Sequence, residues 1–486
     1  MPATVLPIAN GFYVSPSLPI SAQECTNFYP NINEVPALNQ ETLFGTAGLE
    51  QVASTGTVQN QNRGSHEMNG VPYFVNGTSF YSLVETIVNG VPVYTLTNYG
   101  TVAGTARVSM ADNGTQLMIL VPSGAGYIFT HTANTFVTIT DVDFTANGLP
   151  QFVVFIDSYF VCSTDSKKFI RSNSNDGNNW NALNFYTAES DPDDIVGLEV
   201  YKNKLYVLGS EVTEEFYNNA GVFQRTGFFI DKGLYARFST ISTSDSFMWI
   251  GGGTNESPAI WTLNGNTPVK ISNTAIEAAL QKFSFEQIQQ AFSYSYAQSG
   301  AYFVGFSLPT KTFEYNTVTG RWNERKSQIV NTKGVTETIR WRVNSLVTAY
   351  NRVLVGDSQD GRIGSVEIDT YTEYGSEIIR VFSTQPISSD SKVMIISQLE
   401  ATLEAGVGNE DAEDPQIRMQ ISKDGKTFND ELSRSIGEVG QYQRRAIWRN
   451  LGRFPRMCVI RFIMSDPVKP VFLKLTANIR IGNGGN

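Results

Sequence analysis

Short apolar runs bounded by polar turn residues recur along the first three quarters of the chain. They are rich in β-branched and aromatic residues, and such runs are typical of buried strands. Their successive starts lie 42 to 55 residues apart. The seven runs begin at Tyr73, Leu117, Tyr159, Leu205, Phe247, Tyr302 and Val353. The spacing predicts a repeat of one strand-containing unit.

Most of these runs are followed, after a polar turn, by a second run with an aromatic residue, such as Phe80-Tyr81 or Ile260-Trp261. Each unit therefore contains a hairpin, and a period of about 40 to 50 residues is typical of β-propeller blades. Seven repeats favour seven blades, and a six-bladed ring with one divergent unit is the alternative. A solenoid or stacked sandwiches would show the same period. We expect the last strand of the ring near Thr42 to Val52.

One segment departs from the strand pattern. From Thr274 to Phe292, apolar residues recur at roughly helical spacing, and Asn273 or Thr274 is suited to cap the start. This predicts a helical insertion near 274–292.

After about Gly375 the period is lost, and longer alternating strands follow, such as Gln416 to Ser422 and Val471 to Ile481. This pattern predicts a separate β-sandwich. The predicted fold is all-β, with a β-propeller and a C-terminal β-sandwich. The predicted domains are an N-terminal extended segment (1–40), the propeller (41–375) and the sandwich (376–486).

Charge is unevenly divided between the two predicted domains. Residues 376–486 hold 15 basic and 13 acidic residues, while residues 1–375 hold 21 basic and 33 acidic residues, so the net charges are +2 and −12. Such asymmetry suggests charge-matched surfaces within an assembly.

The cysteines and the N-terminus bear on the compartment. Cys25, Cys162 and Cys458 are odd in number and far apart, so neither a disulfide framework nor a close-spaced metal site is indicated. The first residues lack the pattern of a signal peptide, and no apolar run approaches the roughly 20 residues needed to span a bilayer. We therefore expect a soluble chain made in the cytoplasm, without membrane insertion.

Catalytic and cofactor motifs are not found in the sequence. His66 and His131 do not stand at metal-ligand spacing, and no nucleophile elbow, phosphate loop or dinucleotide fingerprint occurs. The acidic cluster of Glu189, Asp191, Asp193 and Asp194 is interpreted as a solvated turn rather than a glycosidase pair. We predict no enzyme activity, no cofactor and no metal.

The segment Ser422 to Phe428 (SKDGKTF) resembles the Asp-box hairpin of sialidase-like propellers. In this hairpin the Asp accepts backbone hydrogen bonds, the Gly supplies a positive φ and the aromatic residue packs beneath. The box is structural and carries no catalytic group. Ser174 to Trp180 is a looser match.

Three blocks carry a resemblance to a known family: GFYVSPSLPISAQECTNFYP (Gly11 to Pro30), AESDPDDIVGLEVYKNKLYVLGSEVTEEFY (Ala188 to Tyr217) and GQYQRRAIWRNLGRFPRMCVIRFIMSDPV (Gly440 to Val468). The central block is the most specific. The chain resembles the packaged-DNA stabilisation proteins of short-tailed phages, also called tail accessory factors or tail nozzles.

The resemblance implies a structural virion protein of the phage tail hub. Such a hub assembles as a six-fold ring below the portal and its adaptor ring, extends the DNA channel and helps retain packaged DNA. Its implied partners are further copies of itself, the adaptor and portal, a tail needle, and tailspikes or other host-binding proteins. Double-stranded DNA would pass without sequence-specific binding, because acidic walls repel phosphates.

A ring requires one face of each subunit to meet a different face of the next. The basic run in the sandwich predicts an assembly contact formed by Arg444, Arg445, Trp448, Arg449 and Arg453. The same run is also compatible with nucleic-acid binding.

Two other functional classes were weighed. A receptor-binding or glycan-cleaving propeller of a phage tail would need a convergent pocket with several arginines and a nucleophilic tyrosine, and no such set is evident. A secreted kelch-like protein is disfavoured because the sequence begins without a signal peptide and has an odd cysteine count.

Overall fold

The computed structural model describes residues 3–56, 60–189, 193–389 and 392–482. Seven strands precede the first blade. They are β1 (Thr4–Leu6), β2 (Tyr13–Val14), β3 (Ala22–Gln23), β4 (Cys25–Thr26), β5 (Phe28–Ile32), β6 (Glu41–Gly45) and β7 (Gly48–Ser54). Within the described residues, no helix is both long enough and apolar enough to cross a membrane.

The first four blades are four-stranded antiparallel sheets with the strands in chain order. Blade 1 contains β8 (Asn62–Met68), β9 (Val71–Asn76), β10 (Ser79–Val88) and β11 (Val91–Thr101). Blade 2 contains β12 (Ser109–Asp112), β13 (Gln116–Leu120), β14 (Gly126–Thr130) and β15 (Thr135–Thr138), followed by a 3-10 turn (Val142–Phe144). Blade 3 contains β16 (Pro150–Ile156), β17 (Tyr159–Thr164), β18 (Lys168–Asn173) and β19 (Asp176–Thr187). Blade 4 contains β20 (Ile195–Tyr201), β21 (Lys204–Gly209), β22 (Thr213–Asn219) and β23 (Val222–Ile230).

Three further blades complete the ring. Blade 5 contains β24 (Gly233–Leu234), β25 (Ile241–Ser242), β26 (Phe247–Gly252), β27 (Ala259–Asn264) and β28 (Thr267–Lys270). After the helices α1 (Thr274–Leu280) and α2 (Phe285–Ile288), blade 6 contains β29 (Phe292–Gln298), β30 (Ala301–Ser307), β31 (Thr312–Asn316) and β32 (Arg321–Val330), with β33 (Thr336–Arg340) paired to β32. Blade 7 contains β34 (Val343–Ala349), β35 (Arg352–Asp357) and β36 (Arg362–Glu367), and β7 supplies its fourth strand.

The β-propeller is confirmed, and the ring is closed by a strand from the N-terminal side. Strand β7 pairs antiparallel with β36, so the last blade combines both ends of the propeller sequence. The innermost strands of neighbouring blades contact each other around the ring, including β34 of blade 7 with β8 of blade 1. The described residues therefore form seven blades.

Alternating side chains explain why the blades stack. Successive residues of a strand point to opposite faces, so an apolar strand between two blades fills both interfaces. Tyr73, Phe80 and Phe129 pack between blades 1 and 2, whereas Phe74 and Leu354 pack between blades 1 and 7. Six of the seven apolar runs predicted from the sequence lie in the second strand of a blade, and the run that begins at Phe247 lies in β26, after the short strands β24 and β25 of blade 5.

The helical insertion expected near 274–292 consists of two short helices and ends before Phe292. Asn273 does cap α1, since its side chain accepts a hydrogen bond from the backbone N–H of Ile276, but α1 ends at Leu280. Ser284 starts the separate helix α2 through a reciprocal capping box with Gln287. Phe292 already belongs to strand β29. The local capping at Ser284 overrides the continuous apolar period.

The C-terminal β-sandwich is confirmed. Two short strands, β37 (Thr372–Glu373) and β38 (Ser376–Glu377), lie next to blade 7 and precede the sandwich. The strands of the sandwich are β39 (Arg380–Ser383), β40 (Ile387–Ser388), β41 (Val393–Leu403), β42 (Gln416–Ser422), β43 (Leu432–Ser435), β44 (Ala446–Phe454), β45 (Met457–Met464) and β46 (Val471–Gly482). One sheet has the order β44-β41-β46-β6-β5, with β1 paired to β46. The other sheet contains β4-β39-β45-β42-β43.

The N-terminal strands contribute to both sheets of the sandwich. Strands β1, β5 and β6 extend one sheet, and β4 lies between β39 of the sandwich and β32 of blade 6. A continuous sheet therefore runs from the propeller into the sandwich. The division into residues 1–40, 41–375 and 376–486 stays a prediction, and the segment before residue 40 packs with the sandwich rather than apart from it.

Candidate assembly interface

The predicted arginine strip lies on and before β44, which is an edge strand of its sheet. Arg444, Arg445, Arg449 and Arg453 are exposed. Arg445 is paired with Glu400 of the neighbouring strand, and Nε lies 2.7 Å from the carboxylate. An exposed ion pair of this kind contributes little to stability. The remaining three arginines are the part of the strip best suited to another molecule.

Trp448 does not belong to this exposed surface. Its side chain is buried, Nε1 donates a hydrogen bond of 2.8 Å to the carbonyl of Leu432, and its ring packs edge-on against Phe462. Trp448 follows the alternation of β44, in which Ala446 and Phe454 also face the core. The expectation that Trp448 contacts another subunit is therefore corrected, because this residue holds the strip from inside the sandwich.

The strand register extends the basic surface across the sheet. Ile395 of β41 stands opposite Arg453 on one side and Arg480 of β46 on the other. Ile395 and Arg480 are exposed together with Arg453. The sequence reasoning did not single out Arg480, because only the cross-strand register brings it beside Arg453. We call Arg444, Arg449, Arg453, Arg480 and Ile395 the basic face.

An acidic loop lies near the segment that precedes β44. Its four exposed acids are Glu410, Asp411, Glu413 and Asp414. The side-chain amide of Asn409 anchors the loop by a hydrogen bond of 2.7 Å to the carbonyl of Pro467, and Gly406 lies against Tyr442, shortly before Arg444. The sandwich therefore presents surfaces of both signs.

Asn27, which lies between β4 and β5, links the propeller to the sandwich. Its side-chain N–H group donates to the carbonyls of Lys326 in blade 6 (3.0 Å) and Ile379 before β39 (2.8 Å), and its Oδ1 accepts from the backbone N–H of Lys326 (3.0 Å). Asn27 has a φ of 54°, a conformation that Asn tolerates better than most residues. One buried side chain thus joins three parts of the chain.

A buried charged cluster lies close to this joint. The Arg325 guanidinium is stacked 3.8 Å from the Trp341 ring, donates 3.1 Å to the carbonyl of Ala47 and is 3.5 Å from Glu314. Burial alone would lower the pKa of Arg325, but Glu314 and Glu373 raise it, so the guanidinium stays charged. Removing one partner of a buried ion pair destabilises a fold strongly, because the other charge stays buried without compensation. We therefore interpret this cluster as structural.

The histidines also have structural partners. His66 Nε2 lies 2.7 Å from Asp112 Oδ2, linking the inner strands of blades 1 and 2, and His131 Nδ1 lies 3.2 Å from the Tyr73 hydroxyl. Over the described ranges, no group of three or more His, Cys, Asp or Glu side chains is arranged to hold a metal ion.

The acidic cluster after blade 3 is only partly described, since Asp191 lies outside the described residues. Asp193 accepts a hydrogen bond of 2.8 Å from the backbone N–H of Glu211. Glu189 lies 3.4 Å from Arg225. Both contacts hold the turn against blade 4, as a structural turn requires.

The Asp-box hairpin has the expected geometry. Asp424 Oδ1 accepts hydrogen bonds of 2.8 Å from the backbone N–H groups of both Lys426 and Thr427, and Gly425 has a φ of 77°. Phe428 packs beneath, with the Arg461 guanidinium 3.6 Å from its ring. The hairpin contacts the N-terminal segment at Leu18, so it serves packing.

Comparisons with known proteins agree with this architecture. The family described as "Bacteriophage P22 Gp10, beta-propeller" matches residues 4–371, and "Bacteriophage P22 Gp10, beta-sandwich" matches residues 379–480. The tail hub protein gp10 of Salmonella phage P22 is 20% identical over 418 residues, which cover 83% of this chain and 87% of that protein.

Among solved structures, the WD40 β-propeller domain of Doa1 matches with a TM-score of 0.40 and 11% identity, over 66% of this chain and 98% of that one. PorZ, a surface component of the type-IX secretion system of Porphyromonas gingivalis, matches with a TM-score of 0.37 and 8% identity, over 65% of this chain and 37% of that one. The family matches together span both the propeller and the sandwich. The chain therefore belongs to the bacteriophage P22 Gp10 family and is a structural protein of the phage tail hub.

Proposed function

We propose that this chain assembles into a six-fold ring below the portal and its adaptor, extends the DNA channel and helps to retain the packaged genome. The proposal rests on membership of the P22 Gp10 family and on the resemblance of the three sequence blocks to tail nozzle proteins. The observation that best supports ring assembly is the difference in net charge between the two parts of the chain. Residues 1–375 have a net charge of −12, residues 376–486 have a net charge of +2, and the sandwich has exposed arginines. A heterologous ring contact pairs two different faces, which opposite charges would favour.

The basic face is the contact that we assign to the ring. Arg444, Arg449 and Arg453 form no ion pair within the part of the chain that the structure describes. The unpaired backbone groups of an edge strand can pair with another chain, and charged side chains on that strand restrict which chains can do so. We infer that the basic face meets an acidic surface of the neighbouring propeller.

The DNA channel of this proposal runs between chains and not through a single propeller. Side chains from different blades contact each other across the propeller at one end. Arg107, which precedes blade 2, has its guanidinium 3.7 Å from the ring centroid of Phe292 in blade 6. Phe152 of blade 3 contacts Phe238 between the strands of blade 5, with ring centroids 5.6 Å apart. These contacts leave no open path for a duplex along the axis of the propeller.

An acidic lumen would let the genome slide, because it repels phosphates, whereas a basic wall would hold DNA by counterion release. The experiment is single-particle electron microscopy of the protein mixed with the portal and adaptor complex. A six-fold ring with acidic lumen walls supports the proposal. A ring whose lumen is lined mainly by Lys and Arg would contradict the sliding mechanism.

A further inference from the structure

A cavity of about 220 Å³ lies between blade 1, the segment that connects blades 1 and 2, strand β33 and blade 7. Its charged lining residues are Arg63, Arg107 and Arg340, and the other seven lining residues are neutral. Three cations around one small cavity are unusual, because each loses hydration on burial and repels the others. The cavity is thus short of negative charge.

Arg63 is held entirely by backbone carbonyls. Its guanidinium donates to Ala106 (2.7 Å), Gly77 (3.0 Å), Val102 (2.9 Å) and Ala103 (2.8 Å). These bonds leave it little capacity for a ligand. Arg63 therefore shapes the wall and adds positive potential.

Arg107 and Arg340 converge on a single neutral residue. The Oδ1 atom of Asn344 accepts from Arg107 Nη2 at 3.1 Å and from Arg340 Nη2 at 2.9 Å. Both guanidinium groups also lie near the face of Phe292, at 3.7 Å and 5.4 Å from the ring centroid. Arg107 also donates to the carbonyl of Asn344 at 2.7 Å, and Arg340 Nη1 donates to the Ser307 hydroxyl and to the carbonyls of Trp341 and Val343. Within the described residues neither arginine forms an ion pair with a carboxylate, so all of these partners are neutral.

The electrostatics agree with the geometry. Burial, followed by repulsion from Arg340, lowers the pKa of Arg107 to about 9, and burial lowers the pKa of Arg340 to about 10. Both side chains remain charged at neutral pH, at a cost that a counter-ion would remove.

We propose that this cavity is a binding site for a small oxyanion such as inorganic phosphate, held by Arg107 and Arg340. Guanidinium groups bind phosphate through paired hydrogen bonds, and the cavity exceeds the roughly 30 Å³ that one water occupies in the liquid. The anion would join strand β33, which is paired to blade 6, to the segment that connects blades 1 and 2. The site is independent of ring assembly, so it stands apart from the proposed function.

The test uses the full chain at low ionic strength. Isothermal titration calorimetry with sodium phosphate measures affinity, and thermal unfolding in phosphate or chloride at equal ionic strength measures stabilisation. We expect one phosphate per chain and a Tm that rises with phosphate but not with chloride. No phosphate-specific rise and no titration heat in the unmodified chain would overturn the proposal.

Two variants and one control locate the site. Arg107→Gln should weaken phosphate binding at least about tenfold. Thr105→Glu, which places a carboxylate at the cavity, should raise Tm without phosphate and abolish the phosphate response. Arg352→Gln, which removes an arginine of blade 7 already paired with Glu367 at 2.8 Å, should leave phosphate binding unchanged. A full phosphate response in Thr105→Glu would overturn the assignment even if Arg107→Gln does not fold.

Discussion

Asn27 connects the propeller, the N-terminal segment and the sandwich through one side chain. Its three partly buried hydrogen bonds reach Lys326 and Ile379, which are 299 and 352 residues away in the sequence. Buried polar groups left without partners destabilise a fold more than the formed bond stabilises it. The joint should therefore be sensitive to this residue.

We predict that Asn27→Ala lowers the free energy of unfolding by about 2–4 kcal/mol, because it leaves two carbonyls and one N–H group unsatisfied. Urea denaturation measures the loss. Asn89→Ala is the matched control, since Asn89 has a similar φ of 51° in an exposed turn, and it should cost about 1 kcal/mol or less. Equal losses in the two variants would show that backbone conformation alone matters at Asn27.

The lowered pKa of Asp424 should make the free energy of unfolding depend on pH in the acid range. Hydrogen bonds from the backbone N–H groups of Thr427 and Lys426 lower its pKa to about 2, below the roughly 3.9 of an unfolded chain. Its stabilising contribution is therefore complete above about pH 4 and is lost as the pH falls towards 2.

Asp424→Asn should remove that part of the pH dependence, measured as the free energy of unfolding between about pH 4.5 and about pH 2.5. Asp430→Asn changes an exposed acid of the same loop and serves as the control. An unchanged pH slope in Asp424→Asn would contradict the role of the hairpin bonds.

Local residue chemistry was predictable from the sequence, and distant partners were not. The Asp box was recognised because its bonds join residues two or three apart, from Asp424 to Lys426 and Thr427. The bonds of Asn27 span most of the chain, and Trp448 was misplaced because a basic run does not reveal which face of a strand is buried. Only strand register brings Arg480 beside Ile395.

At the level of elements, strand β7 closes the propeller. Its residues pair with β36 across the last blade, and Leu49 is buried between blades 6 and 7. A ring closed by two distant segments couples both ends of the domain, so disrupting this pairing should affect the whole propeller.

We predict that Glu50→Pro lowers stability by about 2 kcal/mol or more. Glu50 pairs with Ser365, and since the Leu49 carbonyl is turned to Tyr374 on the other edge of β7, strand alternation directs the N–H of Glu50 to β36, where proline has no donor. Glu50→Thr keeps the donor and suits a strand, so it should be close to neutral. Thermal unfolding followed by circular dichroism distinguishes them. If the proline variant unfolds like the threonine variant, β7 is not required for closure.

Elements were predictable where the period was strong. The seven strands that contain the apolar runs followed from hydrophobic spacing, and the closing strand was expected near Thr42 to Val52, where the structure has β7 at Gly48–Ser54. Helical structure was expected near 274–292, but periodicity does not detect the break at Ser284 that divides it into two short helices. Strands β1 and β4 to β6 were missed as parts of the sandwich, since they are short and pair with residues hundreds of positions away.

At the scale of the whole molecule, the proposed ring depends on a basic face of one subunit meeting an acidic surface of the next. We predict that Arg449→Glu combined with Arg453→Glu prevents ring formation, because it places like charges against the acidic propeller of the next subunit. Lys202→Glu, a charge reversal in an exposed turn of blade 4, should leave assembly intact. Analytical ultracentrifugation in the presence of the adaptor complex measures the assembled fraction, and unchanged monomer unfolding verifies the fold. Normal assembly of the double variant would exclude the basic face as the ring contact.

The most direct test of the account is single-particle electron microscopy of the purified protein, alone and mixed with the portal and adaptor complex. We expect a six-fold ring on the adaptor, with an axial channel between subunits and the basic face buried against a neighbouring propeller. A persistent monomer or trimer that ignores the adaptor and binds glycans would contradict it.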